Sequence, residues 1–252
     1  MKISVITICF NCEKTINKTV DSVIKQNFSN YEYIIIDGKS NDKTLEVLEK
    51  YKSKISRIIS EKDEGLYDAI NKGINNSNGD IIVLLHGNDM FASSEVLSKI
   101  SNFFSKNKDI DVILSNLTIK SDLENGKKLR FYNCRNFRPW MLRIGYSPAH
   151  LSAFFKKDAM DEVGIYNNDF KIAGDFDYFV RSFLIKNLKY KYLDENLIYM
   201  STGGISGSGL KSYINSSIEI NKSLKKNGFY SNLLITFLRF PLKLIQLLVK
   251  NE

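Results

Sequence analysis

"IIVLLHGNDMF", running from Ile81 to Phe91, raises the question that decides the fold. Five apolar residues give way to His86, Gly87, Asn88 and Asp89 before apolar residues resume. An uninterrupted run of Ile, Val and Leu fits a strand covered on both faces. Gly, Asn and Asp form turns readily, so a plain loop is one reading of residues 86–89. The other is a metal site, because a lone carboxylate at a strand end has the form of a hard-cation ligand. The rest of the chain bears on the choice.

Upstream, "KISVITICF" reads as a strand and residues 14–27 as a helix, with Ile16, Val20, Val23 and Ile24 at helical spacing. "YEYIIID" is a strand ending at Asp37. A helix from about Asn41 turns Leu45 and Leu48 inward. "ISRIIS" is a short strand, and Leu66, Ala69, Ile70 and Ile74 mark one face of a further helix. Downstream, residues 93–106 read as a helix and "DVILS" as a strand. This repetition predicts an α/β fold with a mainly parallel central sheet and helices on both faces. Ligands of such sheets bind outside the carboxyl ends of the strands. Four polar clusters would meet there: Thr7–Asn11, Asp37–Ser40, Glu61–Asp63 and His86–Asp89.

After residue 115 the pattern changes. "NLTIKSDLENGKKLRFYN" predicts a hairpin around Asn125-Gly126. "HLSAFF" predicts a strand, residues 174–186 a helix with Phe176, Phe179, Val180 and Phe183 inward, and "YKYLDENLIYM" a strand. The expected organisation is one domain over 1–208, in a first half (1–115) and a second half (116–208), followed by a helical tail over 209–252.

At 252 residues the chain can bury a substantial core. Lys and Arg total 36 against 28 Asp and Glu, a net charge of +8, which favours anionic partners such as phosphates, nucleic acid or an acidic membrane face. Three cysteines are an odd set that suits a reducing compartment. "CFNC" has the spacing of a redox pair, but no second pair completes a zinc site. The start "MKISVITICFN" is too short an apolar run for a signal peptide, and no charge-free apolar stretch reaches bilayer length.

No G-x-G-x-x-G or G-x-x-x-x-G-K-[ST] occurs, so neither dinucleotide nor P-loop binding is indicated. Asp37 can accept from a nucleobase or ribose, while Ser40 or Asn41 can cap the next helix. Asp175 and Asp177, in "IAGDFDYFVR", open a helix. Their spacing points them to different faces, so one can face a cleft while the other caps or pairs with Arg181.

"VITICFN", "IIIDGKSNDKT", "EKDEGLYDAINKGI", "GDIIVLLHGND" and "GDFDYFVR", in this order and trailed by "STGGIS", resemble family 2 glycosyltransferases of the GT-A fold. The resemblance spans about residues 3–205, and its nearest flavour is the bacterial group that builds surface polysaccharides. It implies inverting transfer from a nucleotide-diphosphate sugar, with UDP the expected nucleotide. Thr7, Asn11 and Asp37 match positions that hold the nucleoside. Asp63, Gly65, Tyr67 and Asn71 match the stretch lining the nucleotide site, and Asn88 adjoins it. Asp89 matches the last carboxylate of a D-x-D-like motif that binds Mn²⁺ or Mg²⁺. Asp175 matches the catalytic base, and His150, in "PAHLSAFF", a polar position near the acceptor or diphosphate. Asn88 stands where many members carry a second Asp, Lys39 replaces a small residue, and Gly174 replaces a frequent Glu.

The resemblance implies a lipid-linked or glycan acceptor, no nucleic-acid partner, and a cytoplasmic location at the inner face of the membrane. The rival readings are a noncatalytic nucleotide-sugar-binding or scaffold protein on the same fold, and a sugar-nucleotide nucleotidyltransferase. The latter would need a Gly- and Arg-rich loop after the first strand, which "CFNCEKT" is not. In the tail, "SNLLITFLRFPLKLIQLLVK" is apolar but interrupted by Arg239, Pro241 and Lys243. It reads as an interfacial helix whose cations reach lipid headgroups. The competing reading is a helix packed on the domain or in a homodimer contact.

Overall fold

The structure, a computed structural model, describes residues 1–202 and 210–239. In chain order the first half runs β1 (Ile3–Cys9), α1 (Ile16–Ile24), β2 (Tyr31–Asp37), α2 (Thr44–Glu49), β3 (Arg57–Ser60), α3 (Leu66–Asn75), β4 (Ile81–His86), β5 (Asp89–Phe91) and α4 (Val96–Lys106). The second half runs β6 (Val112–Lys120), β7 (Lys128–Tyr132), β8 (Ala153–Lys156), α5 (Lys157–Val163), α6 (Gly174–Val180), β9 (Tyr190–Ser201), α7 (Leu210–Lys226) and α8 (Leu233–Phe237).

β1 is buried along its whole length, as its β-branched run requires. It pairs in parallel with β2 and β4, and β2 pairs in parallel with β3. Register sets Cys9 opposite Asp37 and Ile8 opposite His86, so the three strands end side by side. Helices cover them through the residues the periodicity marked: Ile16, Val20 and Val23 of α1, and Ala69, Ile70 and Ile74 of α3, are all buried.

Beyond β4 the sheet is mixed. Its order is β3-β2-β1-β4-β8-β6-β9-β5, with β7 hairpinned onto β6. β8 is antiparallel to both β4 and β6, β9 is parallel to β6, and β5 is antiparallel to β9. β5 and α5 were not foreseen from the sequence.

β5 explains the shape. Only Gly87 and Asn88 separate it from β4, yet it lies four strand positions away. Four inter-strand steps in a flat sheet cover roughly 19 Å. Three Cα–Cα steps reach at most about 11 Å. The sheet therefore curls until the ends of β4 and β5 meet, and the turn His86–Asp89 sits at that closure.

α6, expected over 174–186, ends at Val180 and continues as a π-helical turn, Arg181–Ile185. α7 lies along α6, and α8 contacts a tight turn at Pro139–Ile144. No helix among the described residues is long and apolar enough to cross a membrane. Pro241, Lys243 and Lys250 of the expected interfacial helix lie outside the described residues. Arg239 is inside them, and it is not at the surface: it is 2% exposed and donates from Nη2 to Ser217 Oγ of α7 at 2.8 Å. The reading of Arg239 as a headgroup ligand is corrected accordingly, because its side chain lies buried between Ser217 of α7 and Gly145, just past the Pro139–Ile144 turn.

Candidate functional site

The candidate site is the carboxyl edge of β1, β2 and β4, with α3 packed on β1 and β2 and joined through Tyr67 to the entry of α6. Asp37 ends β2 and is fully buried. Its Oδ2 accepts from Ser40 N (3.0 Å) and Ser60 Oγ (2.6 Å), and its Oδ1 from Ser40 Oγ (2.5 Å) and more weakly from Cys9 Sγ (3.8 Å). A carboxylate offers about four lone-pair directions, and here protein groups meet all of them. Asp37 thus organises the loop 38–41 rather than standing open to a ligand. The lip above it is Asn11, exposed and held at φ 52, with its N–H donating to Ser40 Oγ (2.8 Å) and its Oδ1 accepting from Asn41 N (3.0 Å).

Thr7 does not reach this edge. It is buried two residues deeper in β1 and shares a 3.0 Å hydrogen bond with Tyr33 OH. Side chains alternate along a strand, so Thr7 and Cys9 share a face, and the residue beside Asp37 is Cys9. The sequence offered Cys9 only as part of the "CFNC" spacing. The pairing of strand ends in register was the signal. Cys9 and Cys12 are both free, and burial, reinforced at Cys9 by Asp37, pushes both thiols up. A redox pair needs the reverse, a stabilised thiolate, so that reading is set aside.

α3 opens at Gly65, whose φ of +137 suits only glycine. Just before it, Asp63 reaches back over β2: a Cβ on Gly38 would stand 2.9 Å from Asp63 Oδ2. Lys72 binds Asp63 (2.7 Å), Glu61 (3.1 Å) and Asp68 (3.1 Å) together. Tyr67 and Asn71 point the other way, into the second half. Tyr67 OH donates to Ile172 O (2.8 Å), and its ring occupies the space a Cβ on Gly174 would need. Asn71 exchanges two 2.8 Å hydrogen bonds with the backbone of Tyr166. Its amide is spent on that clasp, so Asn71 shapes the wall and is not an open nucleotide contact.

The turn after β4 is fixed on both sides. Gly87 N donates to Ile8 O (2.8 Å) and Thr15 Oγ1 donates to Gly87 O (2.9 Å). Asn88 Nδ2 donates to Ser201 Oγ (2.8 Å), and Ser201 N donates to Asp89 Oδ1 (3.2 Å). Asp89 is fully buried, and burial pushes its carboxyl up to about 7. Its Oδ2 has no hydrogen-bond partner and faces His86 Nδ1 at 3.6 Å. Desolvation pushes His86 down to about 4, so the imidazole is neutral and does not balance that charge.

Asp175 and Asp177 divide as their spacing predicts. Asp177 is buried and pairs with Arg181 Nε (3.0 Å), and its Oδ1 accepts from Ser223 Oγ (2.9 Å) and Asn227 Nδ2 (3.0 Å). Asp175, half-buried in the same first turn, lies near the Tyr67 and Tyr166 rings and adds to the rise of both phenols, which burial dominates. Its Oδ1 accepts from Phe176 N at 2.8 Å. His150 Nε2 meets Tyr166 OH (2.9 Å) and its ring is edged by Tyr166 and Phe179. That enclosure pushes it down to about 4. A neutral, enclosed imidazole supports Tyr166 and is a poor proton acceptor at neutral pH.

The family model for glycosyl transferase family 2 matches residues 4–163. The chain belongs to that family. A PGL/p-HBAD biosynthesis glycosyltransferase of Mycobacterium bovis (strain BCG / Pasteur 1173P2) is 22% identical over 216 residues, covering 81% of this chain and 79% of the relative. A cholesterol galactosyltransferase of Borreliella burgdorferi is 32% identical over 111 residues, 43% of this chain and 31% of the relative. Among solved structures, S. aureus TarS 1-349 in complex with UDP-GlcNAc matches with TM-score 0.71 and 20% identity, covering 89% of this chain and 66% of that one. The mannosyltransferase PcManGT from Pyrobaculum calidifontis, in complex with GDP-Man and Mn2+, matches with TM-score 0.65 and 14% identity, covering 92% of this chain and 65% of that one. The chain thus spans about two thirds of these solved chains, and the likeness establishes the GT-A fold with its curled, mixed sheet.

For a family 2 glycosyltransferase the donor set at a metal is a fair test. Among the described residues no group of three or more His, Cys, Asp and Glu converges. Asp89 alone fits a cation that takes its other ligands from a diphosphate and water. Its unmatched, fully buried Oδ2 is the atom such an ion would satisfy.

Proposed function

We propose that this glycosyltransferase moves a sugar, with inversion, from a nucleotide-diphosphate sugar of the UDP type to an acceptor hydroxyl. The observation that carries the reading is the contrast between two carboxylates, one at the start of β5 and one in the first turn of α6. Asp89 is fully buried with one unmatched oxygen. Asp175 is half-buried in the first turn of α6. A single displacement needs one base for the acceptor proton and charge stabilisation for the departing diphosphate. Asp175 takes the proton, and Asp89 would hold Mn²⁺ or Mg²⁺. When bound, the ion neutralises the leaving group. Asn11, Asp37 and Asp63, with Gly65 and Asn88, frame the nucleoside side, and Tyr67, Asn71 and His150 shape the wall toward the acceptor.

The test is UDP binding by calorimetry and thermal shift, with and without Mn²⁺. At a hundred times Kd, UDP with Mn²⁺ should stabilise the wild type by about 2.7 kcal/mol. Asp89→Ala should abolish the metal-dependent part. Unchanged UDP affinity in that variant would remove Asp89 from the site.

A lipid-linked acceptor in surface-polysaccharide assembly is the context we favour, reached from the cytoplasmic face. Tyr230, Leu233, Leu234, Phe237 and Leu238 are exposed around α8, which follows exposed Lys222, Lys225 and Lys226 of α7 in the sequence. Exposed apolar side chains flanked by lysines suit an anionic lipid surface. Leu234→Glu/Leu238→Glu should abolish flotation of the full chain with anionic vesicles. Retained flotation would move the contact elsewhere, and a change in sedimentation instead would mark a homodimer face.

A further inference from the structure

α7 comes after the catalytic core in sequence, yet its polar face is committed to the first turn of α6. Glu219 Oε2 accepts from Ile172 N (2.9 Å) and Ala173 N (2.8 Å), and Oε1 accepts from Lys171 N (3.2 Å). One carboxylate thus receives three consecutive backbone donors at the entry to α6, a helix with no side-chain cap of its own. Four and eight residues further along α7, on the same helical face, Ser223 and Asn227 donate to Asp177. From the opposite side Tyr67 OH donates to Ile172 O, and its ring rests on Gly174. The segment carrying Asp175 is therefore held at 171–173 from α7, at 172–174 from α3 and at 177 from α7 again. Asp175 is the residue that these holds bracket.

We infer that Glu219 is a positioning residue for Asp175, setting the height and direction of the first turn of α6 so that the Asp175 carboxylate meets the acceptor hydroxyl. The inference rests on the reading of Asp175 as the base. Glu219 acts through the backbone: Glu219→Gln replaces one of the two accepting oxygens by an NH2 donor, leaving one or two of the three N–H groups unmet, and the turn can rotate or rise. A displacement of about 1 Å at a reacting group costs up to roughly 100-fold in rate. Glu219 also places a negative charge beside that turn. Removing it makes protonation of Asp175 less favourable, so the acidic limb of the rate profile moves to lower pH.

The experiment is a double-mutant cycle on the full chain, with Glu219→Gln, Asp175→Asn and the double variant. The probe is UDP release from the UDP-hexose that wild type turns over fastest, with water as acceptor. UDP affinity with Mn²⁺ is measured in parallel. Glu219→Gln should lower kcat by about 10- to 100-fold, leave UDP affinity within a factor of about two, and shift the acidic limb downward. In the Asp175→Asn background Glu219→Gln should add nothing, because residues acting through one group are not additive. Glu219→Asp, which keeps the charge but draws it back, supplies the same reading if Glu219→Gln does not fold, and its acidic limb should stay in place. If Asp175→Asn keeps wild-type turnover, the reading of Asp175 as base fails. If Asp175→Asn is inactive but Glu219→Gln keeps kcat, loses activity only in step with UDP affinity, or adds its full effect in the double variant, the positioning role of Glu219 is overturned.

Discussion

The first half of the chain and the second place their carboxylates in different ways. Asp37 ends β2 with holds that are local or one strand away: Ser40 is three residues from it, and Ser60 ends the adjacent β3, whereas Asp89 on the same edge takes its backbone donor from Ser201 of β9. Asp175 and Asp177 stand on a short helix that has no cap and is gripped from afar. Its holds come from Glu219, 46 to 48 residues on, from Ser223 and Asn227, and from Tyr67, 105 residues back. The first half is a platform whose repeat fixes its edge. The second is a clasp that exists only once distant elements have docked. Donor binding should therefore tolerate damage to the clasp, and transfer should not.

The sharpest way to break this comparison is to exchange the roles of the two neighbouring aspartates. Asp175→Asn should lower transfer by about 10² to 10⁴ with UDP affinity and melting temperature unchanged. Asp177→Ala leaves Arg181 as an uncompensated charge and should cost about 3–5 kcal/mol in urea unfolding. If Asp175→Asn unfolds the chain and Asp177→Ala only slows it, the division is reversed. Asn71→Leu comes next. It strips two partners from the buried backbone of Tyr166 and should cost about 2–4 kcal/mol, measured by the same unfolding curves. Loss of UDP binding without loss of stability would instead make Asn71 a ligand contact.

pH gives a smaller test. His150 is held near 4 in the folded chain, below its ordinary value of 6.5. Between those values the unfolded chain binds the extra proton, so the stability tied to His150 is complete above about 6.5 and is lost as pH falls toward 4. His86 acts in the same sense, while Asp89, raised from 3.8 to about 7, acts in the opposite sense over much of that range. The wild-type curve alone mixes the three. His150→Gln should be less stable than wild type at pH 7.5, with the gap narrowing steadily toward pH 4. A gap independent of pH would mean that folding leaves the His150 pKa at its ordinary value. Smallest of all, Cys12→Ser should leave transfer within a few-fold of wild type, since a raised thiol pKa leaves no reactive thiolate to lose. A larger loss would reopen the redox reading.

Much of the platform was legible because its forces are periodic. Ile16, Val20 and Val23 bury at helical spacing, and β1, β2 and β4 read as continuous apolar runs. Asp89 stood out as a polar stop on such a run. The resemblance matched Thr7 to a nucleoside-holding position, yet its hydroxyl is buried on Tyr33, and only register reveals that Cys9 is the residue opposite Asp37. The curl was hidden because β5 is three residues long and its partner, β9, begins about a hundred residues later. Asn71 and Glu219 were illegible for a shared reason: each side chain bonds to backbone, whose donors and acceptors carry no sequence signature. Arg239 reads as an exposed cation in any linear pattern, and only packing against Ser217 buries it.

The order of synthesis gives the polar stripe of α7 a further meaning. Asn227 leaves the ribosome 50 residues after Asp177. At about 5–20 residues per second, that is a delay of roughly 2 to 10 seconds. During it the platform of β1, β2 and β4 can form while α6 still lacks Glu219, Ser223 and Asn227. A nascent chain in that interval, or one released before residue 219, has the strand-end platform beside a first turn of α6 that nothing yet braces from α7.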